Sequence, residues 1–507
     1  MATSEEQSNA GSAINWHHIS FGPYKYKDIL IVDLTQGVNE HGRLYIRCVL
    51  NEIPADQASN QGYVQTTQEY SPVFLTYIDQ SGTKQYLFQG IVTNIKQSII
   101  AGLAYLDIEA FTFSYLLDVK KRNRSFQREQ EPYSYVFQRI NSLAREYVPG
   151  LKDDVVKATG NQDTQTTGRL IIQYQETDWC LLKRIASFFN ISLMVDVTLN
   201  SPKVYFGLPP APISKDGKKE KPAELKVSTY QIRRDTGNYA SSSSNSRKNS
   251  GIIVSENDFT YCEVESLEVL KLGQQVNFQG LSWYIKNIHT HMDKGIVKNI
   301  YILATEKGLM QDDLYNENLA GISLSGIVKS IAKDQVKVHI TEIDAEWDSG
   351  ATWWFPYTTI YSSPDGSGFY CMPEVNDNVR IYFQNKEEVQ SVAVSSVNMT
   401  PSQRGKREDP NTKILSTVHG KQVVLTPSGI QIIANENLLM TLSDEGGVSI
   451  KSDKKIKMEA KDAIEITSTT SKIIAFGKEE VNLSQGGGKV VIKEDITVSG
   501  QKVRIQP

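Results

Sequence analysis

Cysteine is scarce in this chain. Its four cysteines in 507 residues, Cys48, Cys180, Cys262 and Cys371, lie far apart and form no CxxC pair. That favours reduced thiols over a disulfide or zinc framework. No apolar run reaches about 18 residues, so no membrane-spanning helix is expected. Basic charge is not in excess: 54 Lys and Arg face 58 Asp and Glu, for a formal net charge of −4. A nucleic-acid footprint is therefore not expected. The opening MATSEEQSNAGSA has neither the basic nor the apolar region of a secretory signal, so synthesis in the cytoplasm is the expectation.

Catalytic patterns are missing too. HExxH does not occur, and GISLSG (321–326) lacks the spacing of a nucleophile elbow. SQGGGKVV (484–491) puts Val490 where a phosphate loop needs Ser or Thr. Trp16-His17-His18 and His289-Thr290-His291 are the close histidine pairs. His289 and His291 would share one face of a strand, but no carboxylate or cysteine nearby in sequence completes a metal set. Asp444–Glu445 and Glu479–Glu480 read as solvated charge. Trp353-Trp354-Phe355 reads as barrel core or subunit packing rather than a stacking platform for nucleic acid. No catalytic, cofactor-binding or metal-binding residue is assigned.

What is present is ordinary in amount, with 39% hydrophobic and 22% charged residues, and long enough for two to four domains. Residues 14–120 are dominated by alternation, as in DILIVDL (28–34), RLYIRCVL (43–50) and AYLDIEAFTF (104–113), broken by Gly, Asn or Asp. This predicts hairpins of a barrel or sandwich. PYSYVFQRINSLAREYV (132–148) turns to helical spacing. DWCLLKRIASFFN predicts a second helix, with Asp178 as its cap and a stripe of Trp179, Leu182, Ile185, Ala186 and Phe189. Residues 211–258, with SKDGKKEKPAELK and SSSSNSRKNSG, read as a flexible loop region. Strands resume to about residue 310, and about five more in 321–397 have the size of a small OB-like barrel. A polar linker, 398–412, leads to the tail.

The tail carries a three-residue stitch, apolar–polar–apolar, repeated every eight residues. Its pairs are Ile430/Ile432, Met440/Leu442, Val448/Ile450, Ile456/Met458, Ile464/Ile466 and Ile474/Phe476. With small slips Val481/Leu483, Val490/Ile492, Ile496/Val498 and Val503/Ile505 continue the series. Turn-forming or charged residues lie between. Such a period marks a repeat architecture. Each pair shares one strand face, and ordering eight residues costs more than burying two side chains returns. One octad therefore needs partners above and below and a closed core. Three chains wound about one axis would supply them as a dry prism on the order of 50 Å long. A single-chain solenoid or a flat meander fits the same pattern.

Two further stretches bear on this. In QYQETDWCLLKRIASFFNIS (173–192), Tyr174, Glu176, Thr177, Asp178, Leu182, Arg184 and Ile191 match a signature of contractile injection system spikes, with Asn190 where Gly is usual. In PDGSGFYCMPEVNDNVRIYF (364–383), Gly366, Gly368, Pro373, Asp377, Val379, Ile381 and Phe383 match their barrel motif, with Asn376 replacing Gly. With the octads, the chain resembles the VgrG-like spike proteins, the valine–glycine repeat proteins of type VI secretion and the fused hub and spike of contractile phage tails.

The resemblance implies a mainly β fold. Residues 1–13 would be a flexible N-terminus and 14–315 a hub of two β-barrels (about 14–130 and 170–315) with interspersed helices. Residues 321–397 would form an OB-fold-like barrel and 413–507 an intertwined trimeric triple-stranded β-helix, with the octad pairs as its core. It implies a homotrimer that adapts a hexameric tail tube to a three-fold needle, two similar barrels per chain giving pseudo-hexameric symmetry. It also implies contacts with tail tube protein and baseplate components, a proline–alanine–alanine–arginine (PAAR) tip protein near Ile505, carried effectors, and membrane contact only in transient puncturing. No cofactor and no enzymatic activity are implied. No domain is expected between barrel and needle or after the last rung, and delivery outside the producing cell follows. A cell-wall or polysaccharide hydrolase, or a glycan-binding tail fibre, with a β-helix domain are the alternatives.

Overall fold

The computed structural model describes residues 14–51, 62–148, 151, 154–211, 222–245, 252–397 and 408–492. It divides the chain into two compact units, Met1–Met399 and Thr400–Pro507. The chain is mainly β, in several antiparallel sheets.

In the first unit the alternating runs become strands with one buried face. In Arg43–Val49, Leu44, Ile46 and Cys48 point inward while Arg43, Tyr45 and Arg47 lie outward. Strands Ile19–Gly22, Pro72–Ile78, Lys84–Ile100, Leu103–Thr112, Arg43–Val49 and Asp28–Gly37 lie side by side in that order. Asp28–Gly37 then pairs antiparallel with Leu281–Asp293, followed by Ile296–Ala304, Thr260–Ser266 and Thr229–Arg234. The two halves of the expected hub thus share one twelve-stranded sheet, and each keeps its own core. Val32, Leu44, Ile46, Phe88 and Ile108 fill the first; Tyr261, Val264, Trp283, Ile285 and Tyr301 fill the second.

Between the halves come helices Tyr133–Tyr147 and Asp178–Phe188, packed through Val136, Phe137, Ile140, Trp179, Leu182 and Ile185. Trp179, Leu182, Ile185 and Ala186 of the expected stripe are buried, whereas Phe189 is half-buried at the helix C-cap, and the N-cap is not Asp178. Thr177 is the N-cap, its hydroxyl accepting from the Cys180 N–H at 3.1 Å, and Asp178 is the first helical residue. The short segment after the second helix ties the halves together, with Met194 in the second core and Val197 in the first.

The expected loop at 211–258 is partly ordered structure. Thr229–Arg234 is an edge strand paired with Thr260–Ser266, and Thr236–Asn245 is a helix running into the serine run. The Asp235 carboxylate accepts from the Asn238 N–H at 3.0 Å, and the Tyr239 ring meets Phe259 at 5.7 Å. Composition made this segment look solvated; a tertiary anchor at Phe259 overrides it.

The small barrel orders its strands Phe355–Pro356, Gln335–His339, Ser323–Ala332, Asn378–Tyr382 and Val392–Val394. A parallel bridge from Tyr357 to Ala393 joins the two ends. Its core of Val328, Val336, Val338, Phe355, Val379, Ile381 and Phe383 also takes in Leu170 and Ile172 from the preceding region.

In the second unit, Lys413–Ser416, Gln422–Thr426, Gly429–Asn435, Leu438–Ser443 and Gly447–Ser452 form an antiparallel meander. Here the octad stitches fold back on one another: Ile430 faces Leu442, Ile432 faces Met440, and Met440 faces Ile450. Val481–Gln485 and Gly488–Ile492 make a further hairpin, with Val481 opposite Ile492 and Leu483 opposite Val490. Continuous winding was the expectation for all of these pairs. The turns explain the difference. Three reversals are made at Gly420, Gly447 and Gly486, with φ of 77°, 73° and 50°, while those at 427–428 and 436–437 turn on Pro-Ser and Glu-Asn without a left-handed residue. From 448 to 485 no described residue has positive φ. There the chain runs in extended strokes of six residues, bending at 453–454, 461–462, 469–471 and 478–479. Among the described residues these strokes, from 455 to 480, pair with no other strand of the chain.

Ile496, Val498, Val503 and Ile505 lie outside the described residues. So do 1–13 and most of the 398–412 linker.

Candidate functional site

Two places collect the residues that sequence reading singled out: the seam between helices and small barrel, and the octad strokes.

At the seam, strand Ile171–Thr177 works as a wedge. Leu170 and Ile172 enter the barrel core, while Ile171 enters the helical core. Period-2 alternation makes this possible, since neighbours in a strand face opposite sides. Behind the strand lies Arg184, 1% exposed. Its Nε and Nη2 donate to the two Glu176 oxygens at 3.0 and 2.7 Å, and Nη2 also donates to the Ile172 carbonyl at 2.9 Å. Its Nη1 donates to Glu388 of the barrel, whose Oε1 also accepts from the Ile172 N–H at 3.3 Å. Burial acts to lower the Arg184 pKa, but Glu388 and Glu176 outweigh it and the pKa is raised. A guanidinium fork suits two carboxylates and a carbonyl at once, which an ammonium would not.

A second cluster sits on Asp178. Arg122 Nε and Arg124 Nη2 donate to it at 3.1 and 2.6 Å, and Gln173 Nε2 at 3.1 Å. Burial lowers the Arg124 pKa to about 10, with Arg122 and Arg139 adding repulsion that Asp178 only partly offsets. Tyr174 gives its carbonyl to Asn316 Nδ2 at 2.8 Å, and Leu182 is fully buried. The motif residues therefore form a structural joint. The barrel side supplies acceptors: Asp344 accepts from the Ser125 N–H, at 2.8 Å, and from its hydroxyl, while Asp348 accepts two hydrogen bonds of 2.7 and 2.6 Å from Arg128. The Trp353 backbone N–H donates to the Gln127 carbonyl at 3.0 Å, and Phe355 fills the barrel core.

The barrel motif is a turn followed by a core strand. Gly366 and Gly368 have φ of 86° and 144°, and a Cβ on Gly368 would lie 2.4 Å from the Tyr361 carbonyl oxygen. Pro373 is buried, Asp377 Oδ2 accepts from the Glu374 N–H at 2.9 Å, and Val379 and Phe383 point into the core. Both departures from the motifs have one cause. Asn190 and Asn376 adopt φ of 52° and 74°, where Asn is the side chain that best substitutes for Gly. At Asn190 the helix ends in a Schellman arrangement, with Asn190 N–H to the Ser187 carbonyl and Ile191 N–H to Ala186.

One trio escaped the sequence reading. His41 Nδ1 lies 2.8 Å from Ser114 Oγ, and His41 Nε2 lies 3.5 Å from Asp118. The residue types are those of a hydrolytic triad. Ser114 is fully buried, however, and the imidazole lies tilted against the Trp179 ring, their centroids 4.1 Å apart. Burial lowers the His41 pKa against the pull of Asp118. No substrate reaches this serine, so the trio ties the 38–42 loop to the helices. The positions 41, 114 and 118 carry no local spacing that would have revealed it.

His289 and His291 share a strand face as expected, their rings 5.1 Å apart, opposite Thr35 and Asp33 at the seam of the two halves. His289 Nε2 lies 3.3 Å from Asp33, and no third ligand joins them among the described residues. All four cysteines are free; burial pushes Cys48 up to about 12.

The octad strokes hold the opposite arrangement. Ile456, Met458, Ile464, Ile466, Ile474 and Phe476 are between 51% and 89% exposed in the single chain. Six large apolar side chains on an unpaired backbone form an interaction surface, and the free N–H and C=O groups are a template for strand addition.

Neither a family model nor a curated relative matches the chain by sequence. Solved structures do match in three dimensions. One is the E. coli c3393 protein, a component of the type VI secretion system with structural similarity to the T4 bacteriophage tail proteins gp27 and gp5. It aligns with TM-score 0.50 and 12% identity over 75% of this chain and 100% of that one. Another is the Francisella PdpA–VgrG complex in its half-lidded form, with TM-score 0.50 and 9% identity over 86% of this chain and 87% of that one. At such identities the likeness is one of architecture, and the fold of this chain is VgrG-like.

Proposed function

We propose that the chain is a structural hub and spike of a contractile injection system, acting as three copies. The observation that carries this reading is the octad segment 455–480, whose apolar pairs are exposed and whose strokes find no strand partner within the chain. Three copies wound together supply partners above and below each stroke and bury Ile456 through Phe476 against their equivalents. The stitches from Ile430 to Ile450, and Val481 to Ile492, join the same core if their hairpins open into it. The first unit serves as the base, where the sheet shared by two halves presents six similar faces per trimer to a tail tube. Baseplate proteins, a PAAR-type tip and effectors are the partners this role requires. Synthesis is cytoplasmic and delivery is as part of the particle. Mechanism is transmission of force, for which the Arg184 joint couples base to barrel without a hinge. The protein is not an enzyme in this reading, and the enclosed Ser114 supports that.

Mass determination of the full-length protein tests the proposal. A species of three times 56.8 kDa that survives detergent is expected; a monomer with its octads folded alone overturns it.

A further inference from the structure

Beside the seam, outside the Arg184 cluster, an open cleft of about 770 Å³ lies between strand Lys121–Phe126, helix Tyr133–Tyr147 and the 343–348 segment of the small barrel. Six cations line it: Lys120, Lys121, Arg122, Arg124, Arg128 and Arg139. Three carboxylates, Asp344, Glu346 and Asp348, share the lining, and Asp178 stands behind. The positive charge is only partly spent internally. Arg122 and Arg124 divide the single Asp178, and Arg128 is held by Asp348. Lys120, Lys121 and Arg139 have no carboxylate partner among the described residues. Arg122 Nη2 and Arg124 Nη1 are buried donors without an acceptor, an unusual state for guanidinium nitrogens. Burial and hydrogen bonds from Ser125 occupy Asp344, leaving it little free to neutralise its neighbours.

A net positive cleft on a chain of net charge −4 is a local feature with a local use. We propose that it docks an extended, carboxylate-rich segment of a partner polypeptide. The walls favour peptide over a dense polyanion. Trp347, Tyr135 and Leu143 line it together with the cations, offering apolar contact that side chains of a peptide can use and a bare polyphosphate cannot. The volume lies in the range of ligand-sized clefts, and guanidinium groups pair carboxylates through two parallel hydrogen bonds. The site lies within one copy, so it does not depend on assembly of the octads.

The test uses the full-length protein and a fluorescein-labelled hexapeptide of alternating Glu and Leu, followed by anisotropy. Saturable binding that weakens as salt rises is expected, with no binding of a Lys–Leu hexapeptide. Lys121→Glu with Arg139→Glu, both exposed positions, weakens binding at least tenfold. Lys120→Gln with Lys121→Gln weakens it by less, and Lys25→Glu, remote from the cleft, leaves it within twofold. Thermal melts of each variant check folding. The proposal is overturned if the Glu–Leu peptide does not saturate, if the charge-reversed pair binds it equally well, if the Lys–Leu peptide binds as tightly, or if tripolyphosphate binds where the peptide does not.

Discussion

At Leu170, Ile171 and Ile172 successive side chains disappear into one or the other of two cores, whereas between 455 and 480 the apolar members of every stitch face solvent. Both segments are built on the same period-2 geometry. The first finds both its faces covered within the chain, by helices on one side and the small barrel on the other. The second has nothing to lie against. Self-sufficiency thus separates the two units. The first closes its cores, and its buried charges are paired within the chain. In the tail the apolar pairs from Ile456 to Phe476 stay uncovered within one chain.

The sharpest way to break this contrast is to make the seam polar. Ile464→Asp with Ile466→Asp places two carboxylates per copy at the proposed axis, where like charges without solvent are untenable. Light scattering of this variant is expected to show single copies, while the thermal transition of the first unit stays where it was. If the variant keeps the mass of three copies, the octads are not the adhesive surface.

Next in size is the opposite manipulation, opening the buried joint. Arg184→Ala leaves Glu176 and Glu388 facing each other without a cation. Removing one partner of a buried pair costs about 3–5 kcal/mol, so a clear fall in the melting temperature of the first unit is expected. Arg184→Lys restores only part, because an ammonium cannot fork to Glu176 while reaching Glu388 and the Ile172 carbonyl. The mass of the assembled tail is unaffected. Loss of assembly in Arg184→Lys would mean that the two units are not independent.

These two experiments also mark what could be read in the residues. The octad period was visible because its seam is made of apolar side chains at fixed spacing, a local signal. The strands and the Trp179–Leu182–Ile185 stripe were visible for the same reason. Hidden were the features made by distance. Glu388 meets Arg184 across 204 positions, and His41, Ser114 and Asp118 meet only once three segments have folded. The edge-to-edge union of the two halves, through Asp28–Gly37 and Leu281–Asp293, was hidden as well. Stitches that reverse and stitches that run on share one hydrophobic pattern. The reversals differ among themselves, some turning at left-handed glycines such as Gly447 and Gly486 and others at Pro427-Ser428 and Glu436-Asn437 with no positive φ, and a turn residue does not declare its φ in sequence.

Smaller effects sharpen the account of the motif departures. Asn376 sits at φ 74° with an exposed side chain. Asn376→Gly is expected to leave stability nearly unchanged, whereas Asn376→Ala costs about 1 kcal/mol, because alanine keeps the Cβ in the left-handed region and loses the short polar side chain whose local hydrogen bonding offsets it. Denaturant melts of the first unit resolve the pair. Equal melts for Ala and Gly would show that backbone conformation does not govern this position.

The smallest expected effect is titration, and it too falls on one unit. The buried His41 ring has a folded pKa below its ordinary value of 6.5 because burial disfavours the imidazolium. Between that folded value and 6.5 the unfolded chain binds the proton and the folded chain does not. Stability therefore rises with pH through this window and is lost as pH falls below about 6.5. Asp118 has a lowered folded pKa, since the hydrogen bonds from His41 and Thr177 outweigh the opposing effect of burial. Its contribution is present above the ordinary carboxylate range and fades only at more acid pH, so the two groups separate on the pH axis. Melting of the first unit is expected to fall by a few degrees from pH 7 to pH 5.5, and His41→Asn to flatten that interval while leaving the acid limb in place. The 455–480 strokes contain no histidine, so the assembled mass should hold across the same interval. A wild-type melt that is flat between pH 7 and 5.5 would mean that His41 is free to take up its proton in the folded chain, and the reading of Ser114 and His41 as an enclosed brace would go with it.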